Sequence, residues 1–572
     1  MKALLSGNEA VARGAYEIGV NIASAYPGTP STEILENIAK YKEIYCTWST
    51  NEKTAFDFCS GASFGGARVL VAMKHVGLNV AADPFFSVSH IGATGGFIVV
   101  TCDDPGMHSS QNEQDNRHYA RAAKVPLLEP SSSQEAKDFV KIGIKISEEF
   151  DTPVLLRLTT RISHSKGLVH LTQRKSHTPV GYTKEFSRRV LLPLNARKRH
   201  EFVEERLKKL KEFSEKFEYN WIEDGDSAVG VVTSGVAYNY VKEVFPTAKV
   251  LKLSMSYPFP SDLAREFLVG LKRIYIVEEN DPFIEEHIRA LGFNVIGKER
   301  IPLVGELDAS KVAQSLGLAK RDDKRSVDHI PSRPPVLCPG CPHTGVFYVL
   351  SKLKLVTTGD IGCYTLGGLP PLNSIDTCVS MGSGIGNALG LEKALGESMA
   401  KRLVAVLGDS TFFHTGIPPL IDILYNKGMT TVLILDNRTT AMTGHQHHPG
   451  TGKTLMGEST SVVDLVKLCK GLGIRHTYLV DPYDLKETER IIKREVQRQA
   501  PSVVIARREC VLLTKRRAPP LSIDPQKCTG CRLCLRLGCP AITVSEKQAN
   551  IEELLCTACG LCAQICPQDA IA

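Results

Sequence analysis

Three features are missing from this chain of 572 residues, and each absence argues against a class of protein. No stretch reaches about 18 uninterrupted apolar residues, the length that predicts a membrane-spanning helix. The amino-terminal stretch MKALLSGNEAVARGAYEIG has no long apolar region followed by a small-residue cleavage site, so it is unlike a secretory signal. The net charge is only +7 and there is no long basic tract, which gives little reason to expect nucleic-acid binding. We therefore expect a cytoplasmic protein without membrane or nucleic-acid partners.

Cysteine, by contrast, is present in unusual number. The chain has 17 cysteines, and eight of them lie in the last 45 residues. Without a secretion signal, disulfide bonds explain them poorly and metal sites explain them better. The concentration of cysteine at one end predicts a metal-binding segment there.

Apolar runs alternate with helix-like stretches along most of the chain. This alternation predicts an α/β protein with several doubly wound parallel sheets and helices on both faces. The charged stretch ARKRHEFVEERLKKLKEFSEKFEY has apolar residues at helical spacing and predicts an amphipathic connector helix. A polar, proline-rich stretch at 320–335 predicts a linker. We divide the chain into an α/β domain at 1–190, the helical connector at 191–220, a small α/β domain at 221–320, a further α/β domain at 334–514 and the cysteine-rich segment at 519–572.

The carboxyl-terminal cysteines form two regularly spaced runs, each followed by proline. The first run, C-x2-C-x2-C-x4-C, consists of Cys528, Cys531, Cys534 and Cys539. The second run, C-x2-C-x2-C-x3-C, consists of Cys556, Cys559, Cys562 and Cys566. In two-cluster ferredoxins the fourth cysteine of a run binds the cluster of the other run. The spacing therefore predicts one [4Fe-4S] cluster on Cys528, Cys531, Cys534 and Cys566 and a second on Cys539, Cys556, Cys559 and Cys562.

One departure and one alternative belong to this prediction. The gap before Cys539 has four residues where the ferredoxin pattern has three, and we expect the extra residue to bulge the loop without changing the ligands. The alternative is a pair of zinc sites. A segment this short has little room for an apolar core, so its metal sites are expected to stabilise it.

An acid and an amide follow two successive apolar runs of the 334–514 domain. Asp409 comes after the run that ends at Gly408, and Asn437 comes after the next run. Such oxygen donors suit Mg²⁺, which takes few protein ligands and binds phosphate oxygens as well. Ligands of open α/β sheets bind at the carboxyl ends of strands, where these residues are expected. The pair resembles the thiamine-diphosphate (TPP) motif, Gly-Asp-Gly followed by Asn-Asn, with Ser410 and Asp436 replacing a glycine and the first asparagine.

The TPP motif assigns a role to several residues of these stretches. Mg²⁺ is expected on the side chains of Asp409 and Asn437 and on the backbone carbonyl of Thr439, with Gly408 and Ser410 beside the cofactor. The stretch SMGSGIGNALG, which contains Gly382 and Gly384, is a glycine-rich turn that leads into a helix, and its free amides are expected to face the diphosphate. The alternative is that these are ordinary strand-end turns without a ligand.

Taken together, these stretches resemble the α subunits of the indolepyruvate-type TPP-dependent 2-oxoacid:ferredoxin oxidoreductases. The resemblance covers essentially the whole chain. It is carried by YPGTPST, NEKTAFDF, CPGCPH, GDIGCYTLG, SMGSGIGNALG, GDSTFFHTGI, DNRTTAMTGHQ and the cysteine-rich tail. It implies a TPP pyrimidine-binding domain at 1–190, a TPP diphosphate-binding domain at 334–514 and a two-cluster ferredoxin-like domain at 519–572.

The resemblance also implies roles for single residues. Glu52 matches a glutamate that hydrogen-bonds the aminopyrimidine of TPP, and Thr29 matches a threonine that contacts the substrate carboxyl group. Arg117 is a candidate to pair with that carboxylate. The ordinary alternatives are a helix-cap charge for Glu52, a turn residue for Thr29 and a solvated charge for Arg117. Four histidines are further candidates to approach the cofactor, although most single histidines are structural: His75, His445, His447 and His448.

A third cluster is a separate hypothesis. In related enzymes four cysteines at comparable places hold a cluster close to TPP, and Cys338, Cys341, Cys363 and Cys510 reproduce that set. The alternative is buried thiols, which are common in protein cores. The remaining cysteines are expected to be inert core residues: Cys46, Cys59, Cys102, Cys378 and Cys469.

The implied activity is the oxidative decarboxylation of arylpyruvates in aromatic amino-acid catabolism. Indolepyruvate, coenzyme A and oxidised ferredoxin would give indoleacetyl-CoA, CO₂ and reduced ferredoxin. The implied partners are ferredoxin and a smaller β subunit that supplies the coenzyme A site, in an α2β2 assembly. Three alternatives stay open: a 2-oxoacid oxidoreductase for another substrate, an electron-transfer module on an inactive TPP fold, and a non-oxidative decarboxylase.

Overall fold

The structure is a computed structural model that describes residues 1–318, 334–514, 518–545 and 548–572. The chain forms two compact units, Met1–Asp328 and His329–Ala572. Nearly all of the predicted linker at 320–335 lies outside the described residues. Within the described parts of the chain, no helix is both long enough and apolar enough to cross a membrane.

The first unit contains two parallel-type sheets and a short antiparallel pair. Its strands are β1 (Lys2–Ser6), β2 (Ile22–Ala25), β3 (Tyr45–Trp48), β4 (Val69–Lys74), β5 (Phe97–Asp103), β6 (Leu127–Leu128), β7 (Val154–Thr159), β8 (Lys166–His170), β9 (Trp221–Glu223), β10 (Asp226–Ser234), β11 (Ala248–Leu253), β12 (Met255–Tyr257) and β13 (Arg273–Val277). The larger sheet has the order β12-β6-β7-β5-β4-β2-β3, and the smaller has the order β13-β10-β11-β9. Both are parallel except for their edge strands β12 and β9, and β1 pairs antiparallel with β8.

Helices cover the sheets of this unit, as expected for parallel strands joined by crossover connections. They are α1 (Gly7–Ile18), α2 (Thr32–Ile38), α3 (Glu52–Phe64), α4 (His75–Val80), α5 (Ala82–Ile91), α6 (Arg117–Ala123), α7 (Ser133–Phe150), α8 (Thr160–His164), α9 (Phe186–Arg189), α10 (Pro193–Glu215), α11 (Ala237–Val244), α12 (Ser261–Leu268), α13 (Phe283–Ala290) and α14 (Ala309–Ser315). The charged stretch predicted as an amphipathic helix forms α10, which buries Val203 and Leu210.

The second unit contains a parallel sheet and a small antiparallel pair. Its strands are β14 (Val356–Thr358), β15 (Leu403–Gly408), β16 (Thr431–Asp436), β17 (His476–Val480), β18 (Ser502–Arg507), β19 (Ile542–Ser545) and β20 (Gln548–Ile551). The sheet order is β14-β15-β16-β18-β17, with every pair parallel. Its helices are α15 (Pro342–Leu353), α16 (Ser383–Leu395), α17 (Glu397–Ala400), α18 (Asp409–Thr411), α19 (Ile417–Tyr425), α20 (Leu465–Gly471), α21 (Leu485–Val496) and α22 (Leu561–Ile565).

Fully buried, largely apolar strands occupy the middle of each main sheet. β4 (VLVAMK), β15 (LVAVLG) and β16 (TVLILD) are buried at every position. A parallel strand covered by helices on both faces needs such a continuous apolar run, whereas a half-exposed strand alternates. The predicted α/β class with parallel sheets is confirmed.

Candidate active site

The two predicted metal-ligand side chains lie at the ends of neighbouring parallel strands. β15 ends at Gly408, directly before Asp409, and β16 ends at Asp436, directly before Asn437. Both side chains are buried, because Asp409 is 2% exposed and Asn437 is 7% exposed. The parallel pairing therefore brings a carboxylate and an amide to the same edge of the sheet.

Backbone amides hold these side chains in place. The Ser410 N–H donates to Asp409 Oδ1 at 2.9 Å, and the Arg438 N–H donates to Asp409 Oδ2 at 2.9 Å. The Thr439 N–H donates to Asn437 Oδ1 at 3.3 Å. These contacts fix the orientation of both side chains at the strand ends.

The residues replaced relative to the TPP motif have protein partners of their own. The Thr440 hydroxyl lies 2.9 Å from Ser410 Oγ. Asp436 accepts a hydrogen bond from Arg507 Nε at 2.6 Å, and burial, followed by the nearby Asp409 carboxylate, raises the pKa of Asp436. Asp436 therefore pairs with an arginine beside the Asp409 carboxylate.

The glycine-rich turn differs from the expectation that its amides face a diphosphate. The Gly382 N–H donates to Asp360 Oδ2, and the Gly384 N–H also hydrogen-bonds this carboxyl group. Asp360 is fully buried, and burial raises its pKa to about 7. The Gly382 amide is therefore engaged by a protein carboxyl group in this structure, and the cofactor-binding roles of Gly382 and Gly384 remain predictions.

Asp360 is a site residue that the sequence analysis missed, although a signal was available. It follows β14 in the same Gly-Asp order that places Asp409 after β15.

The packing of the strand end accounts for the glycine at position 408, and its predicted place beside the cofactor remains a prediction. A Cβ atom there would lie 2.8 Å from Tyr364 Cε1, so the strand end needs a residue without a side chain.

The chemistry of this donor set fits Mg²⁺ and, with it, a phosphate-bearing cofactor. A buried carboxylate and a buried amide oxygen are hard donors, and they leave coordination positions for water and phosphate. The residues that would hold the metal are Asp409, Asn437 and the Thr439 carbonyl, which remain predicted ligands.

The eight carboxyl-terminal cysteines surround two separate apolar cavities. One cavity is lined by Cys528, Cys531, Cys534 and Cys566. The other is lined by Cys539, Cys556, Cys559 and Cys562. Burial raises the pKa of Cys562 to about 12, and its three cavity neighbours contribute to that rise. Four thiols that converge on one cavity fit a cluster, which binds them as thiolates.

The extra residue before Cys539 sits in a tight turn. A short 3-10 helix, Leu533–Leu537, ends at Gly538, whose φ is +63°. A Cβ atom on Gly538 would lie 2.9 Å from Pro371 Cδ, so this turn packs closely on a loop of the parallel-sheet domain. The insertion therefore forms a docking turn, and Cys539 still lines its predicted cavity.

The four cysteines of the proposed third site are brought together as well. Burial raises the pKa of Cys341, and the thiols of Cys338, Cys363 and Cys510 raise it further. The Cys510 N–H donates to the Asn437 carbonyl at 3.0 Å, which ties this group to the strand-end site. Three loops far apart in sequence thus converge beside the predicted Mg²⁺ ligands.

The expectation for the remaining cysteines is correct except at one position. Cys46, Cys59, Cys102 and Cys469 are buried, and burial raises the pKa of each. Cys378 is exposed, so it is not a core residue.

In the first unit, Glu52 and Thr29 lie on different elements. Glu52 is 5% exposed at the start of α3, where the Asn51 side chain caps the helix by accepting from Thr54 N. A Cβ atom on Gly77 would come within 2.7 Å of Glu52 Oε1, so α4 packs directly on this carboxylate. Thr29 lies in a loop, and its carbonyl accepts from Ser109 Oγ at 3.3 Å. Their predicted roles remain predictions.

Arg117 does not have the surroundings of a substrate-binding arginine. Its side chain is 0% exposed and forms ion pairs with Asp115 and Glu278. Nε donates to the Asp115 carboxylate at 2.9 Å, and Nη2 also reaches the carbonyls of Glu279 and Asp281 at 2.8 and 2.9 Å. Because all three guanidinium nitrogens are engaged, we correct its expected role to a structural one.

The four candidate histidines separate by location. His75 is fully buried in the first unit, with Nε2 3.2 Å from the Asn112 carbonyl. In the second unit, His445 Nε2 lies 3.6 Å from Cys510 Sγ, and His448 Nε2 lies 3.1 Å from Asp409 Oδ2. His447 is exposed and contacts Thr451.

Comparison with family models gives the class of protein. Residues 13–201 match "Pyruvate flavodoxin/ferredoxin oxidoreductase, thiamine diP-bdg", and residues 360–506 match "Thiamine pyrophosphate enzyme, C-terminal TPP binding domain". Residues 520–567 match "4Fe-4S dicluster domain". The sheets and these matches define a ferredoxin-dependent 2-oxoacid oxidoreductase with TPP-binding and iron–sulfur domains.

Whole-chain relatives identify the family. Indolepyruvate oxidoreductase subunit IorA of Archaeoglobus fulgidus is 41% identical over 100% of this chain and 97% of its own length. The subunit of the same name from Methanothermobacter thermautotrophicus is 42% identical over 100% and 97%. The chain belongs to the indolepyruvate oxidoreductase subunit IorA family. A solved 2-oxoglutarate:ferredoxin oxidoreductase from Magnetococcus marinus is similar at a TM-score of 0.45 and 17% identity, over 55% of this chain and 65% of that chain.

Proposed function

We propose that this chain is the catalytic subunit of an enzyme that oxidatively decarboxylates arylpyruvates. Indolepyruvate and coenzyme A would give indoleacetyl-CoA and CO₂, and an external ferredoxin would take up the electrons, in aromatic amino-acid catabolism. The names of the relatives support the substrate class and the presence of a partner subunit. We further propose that a smaller β subunit supplies the coenzyme A site in an α2β2 assembly.

One observation carries the proposal more than any other. The amide of Cys510, a thiol among the four of the third group, donates to the carbonyl of Asn437, a predicted Mg²⁺ ligand. The side-chain donors for a cofactor and the thiols for an electron carrier therefore adjoin within one unit. A non-oxidative decarboxylase has no use for such thiols, so this adjacency favours a redox reaction.

Each group of residues has a definite task under this proposal. Asp409 and Asn437 would bind Mg²⁺ and so anchor the diphosphate of TPP, which supplies an electron sink for the loss of CO₂ from a 2-oxoacid when it is bound. Glu52 would hold a proton at the aminopyrimidine, and its burial limits the access of water to that carboxylate. Thr29 would contact the substrate carboxyl group. The three groups of thiols would hold the [4Fe-4S] clusters.

A substrate panel tests the activity. The chain is co-expressed with its partner subunit, purified without oxygen and assayed by dye reduction with coenzyme A and aromatic, branched-chain and short 2-oxoacids. We expect the highest kcat/KM with indolepyruvate. A preference for a non-aromatic acid would refute the substrate, and reduction by none of them would favour an inactive TPP fold.

Iron analysis tests the third group of thiols. Three [4Fe-4S] clusters hold about twelve irons per chain and two hold about eight. We expect Cys341→Ser to lower the iron content by about four atoms if the third cluster is present. Cys469→Ser, a buried thiol outside the three groups, is the matched control and should leave the iron content unchanged. An equal iron content in the two variants would refute the hypothesis of a third cluster.

A further inference from the structure

We propose that His448 is a positioning residue that fixes which oxygen of Asp409 faces the metal. This inference rests on the proposed function, in which Asp409 binds Mg²⁺. Its neutral imidazole would occupy Oδ2 and leave Oδ1 as the ligand atom. The sequence alone does not distinguish His448 from its neighbouring histidines, but its contacts with Asp409 and Gly450 do.

The contact between His448 and Asp409 is buried. His448 Nε2 lies 3.1 Å from Asp409 Oδ2, and the two side chains are 4% and 3% exposed. A hydrogen bond to a charged partner in such surroundings is stronger than the same contact at the surface. The contact is therefore suited to orienting the carboxylate.

A backbone amide determines the tautomer of this histidine. The Gly450 N–H donates to His448 Nδ1 at 3.1 Å, so Nδ1 must be the unprotonated nitrogen. The proton then resides on Nε2 and is donated to Asp409. A proton on Nδ1 would set two donors against each other, which disfavours the other tautomer.

The imidazole has little freedom to leave this orientation. A Cβ atom on Gly450 would lie 3.0 Å from His448 Cε1 and 3.2 Å from Phe413 Cε2, so the loop passes close to both rings. The centroid of the Phe413 ring lies 5.6 Å from that of the His448 ring. The ring is thus held from one side by a phenyl group and at Nδ1 by the backbone.

Counting donors on each oxygen of Asp409 gives the ligand atom. Oδ2 receives the N–H of Arg438 at 2.9 Å and the Nε2–H of His448 at 3.1 Å. Oδ1 receives the N–H of Ser410 at 2.9 Å. Because a carboxylate oxygen offers about two lone-pair sites, Oδ2 is filled and Oδ1 keeps one site for a cation.

Two substitutions and a neighbouring control test the role. His448→Gln retains an N–H donor at about the reach of Nε2, whereas His448→Leu removes the donor. His447→Leu is the matched control, because His447 is the neighbouring histidine, is exposed and has its Nδ1 atom 3.2 Å from the Thr451 hydroxyl. The probe is Mn²⁺ with TPP, added without oxygen to the complex of the full chain and its partner after Mg²⁺ and TPP have been removed. Free Mn²⁺ is measured by its EPR signal, and the melting temperature of the protein without Mn²⁺ and TPP is recorded in parallel.

We expect His448→Leu to weaken Mn²⁺ binding by about 10-fold to 100-fold, the range for partners that orient metal ligands. His448→Gln should restore most of the affinity, and His447→Leu should bind like the wild type. Wild-type affinity in His448→Leu would overturn the inference. An equal loss in the Leu and Gln variants, together with lower melting temperatures, would overturn it as well, because the role would then be structural.

The failure of the proposed function gives a different result. If the wild type and Asp409→Ala bind Mn²⁺ with TPP equally, Asp409 is not a metal ligand and both proposals fall. If Asp409→Ala alone loses binding while His448→Leu keeps it, only the inference about His448 is wrong.

Discussion

Two clusters of buried charge, one in each unit, differ in how completely the central group is paired. The first surrounds Arg117 and includes Asp115 and Glu278. The second surrounds Asp409 and includes His448 and Asn437. In the first cluster every nitrogen of the central cation meets an anion or a carbonyl group. In the second cluster the central anion keeps an oxygen that accepts one N–H.

Burial of a charged group is therefore not enough by itself to identify a binding site. A buried ion whose partners are complete is part of the fold, and removing one partner is costly because the other charge is left uncompensated. A buried carboxylate with an oxygen that can still accept a contact is available to bind a ligand. The predictions below test this distinction.

Asp409→Ala should have the largest effect on activity. Without the carboxylate the strand end loses its charged oxygen donor, so bound TPP and turnover should fall by at least about 100-fold. TPP content is measured after anaerobic gel filtration, and turnover by dye reduction. Asp422→Ala, an exposed acid on α19, is the matched control and should retain both. Full occupancy and turnover in Asp409→Ala would contradict the assignment of the second cluster.

Arg117→Met should act on stability and leave recognition alone. The change strands Asp115 and Glu278 in a buried site and should lower the free energy of unfolding by about 3–5 kcal/mol. Arg121→Met, whose side chain is 50% exposed beside Glu286, is the control and should cost at most about 1 kcal/mol. Thermal unfolding measures both. A folded Arg117→Met protein with unchanged stability and a raised KM would restore Arg117 as a substrate residue.

Glu279 adjoins the first cluster through its carbonyl group, but its side chain is not completely paired. Its Oε2 atom is buried and has no hydrogen-bond partner among the described residues, and the side chain adjoins a small cavity also lined by Glu129, Arg157 and Ser234. Burial raises the pKa of Glu279 to about 7. The buried carboxyl group of Glu279 is therefore stabilised by binding a proton.

A pH series on Glu279→Gln tests that statement. Because the pKa of Glu279 is raised from its ordinary value of 4.5, the stability that the protonated group contributes is fully present below about pH 4.5 and is lost as the pH rises from there through about 7. The melting temperatures of the wild type and Glu279→Gln should differ little near pH 4, and the variant should exceed the wild type by about 2 °C or more at pH 8. Glu299→Gln, at an acid 56% exposed, should show no such trend. A constant difference across the series would refute the raised pKa.

Local pattern was enough to predict the parts of the site that depend on strand ends and short spacing. Asp409 and Asn437 are predicted to meet at one sheet edge because a buried strand is a continuous apolar run whose end can be identified in the sequence. The parallel pairing of β15 and β16 confirms that placement. The carboxyl-terminal cysteine groups are readable because their first three members recur with two residues between them, and each predicted set of four lines one cavity. The roles of Arg117 and Asp360 were not predictable in this way. Arg117 pairs with Glu278, 161 positions away, and Asp360 caps an amide 22 positions away, so both depend on how the chain folds back.

The central claim is that a 2-oxoacid oxidised at the Asp409 site reduces iron–sulfur clusters in the same chain. The most direct measurement is EPR of the anaerobic complex, frozen after mixing with indolepyruvate and coenzyme A. We predict signals of reduced [4Fe-4S] clusters in the wild type and none in Asp409→Ala, although dithionite should reduce the clusters of both. Equal cluster reduction by indolepyruvate in the two proteins would contradict the account.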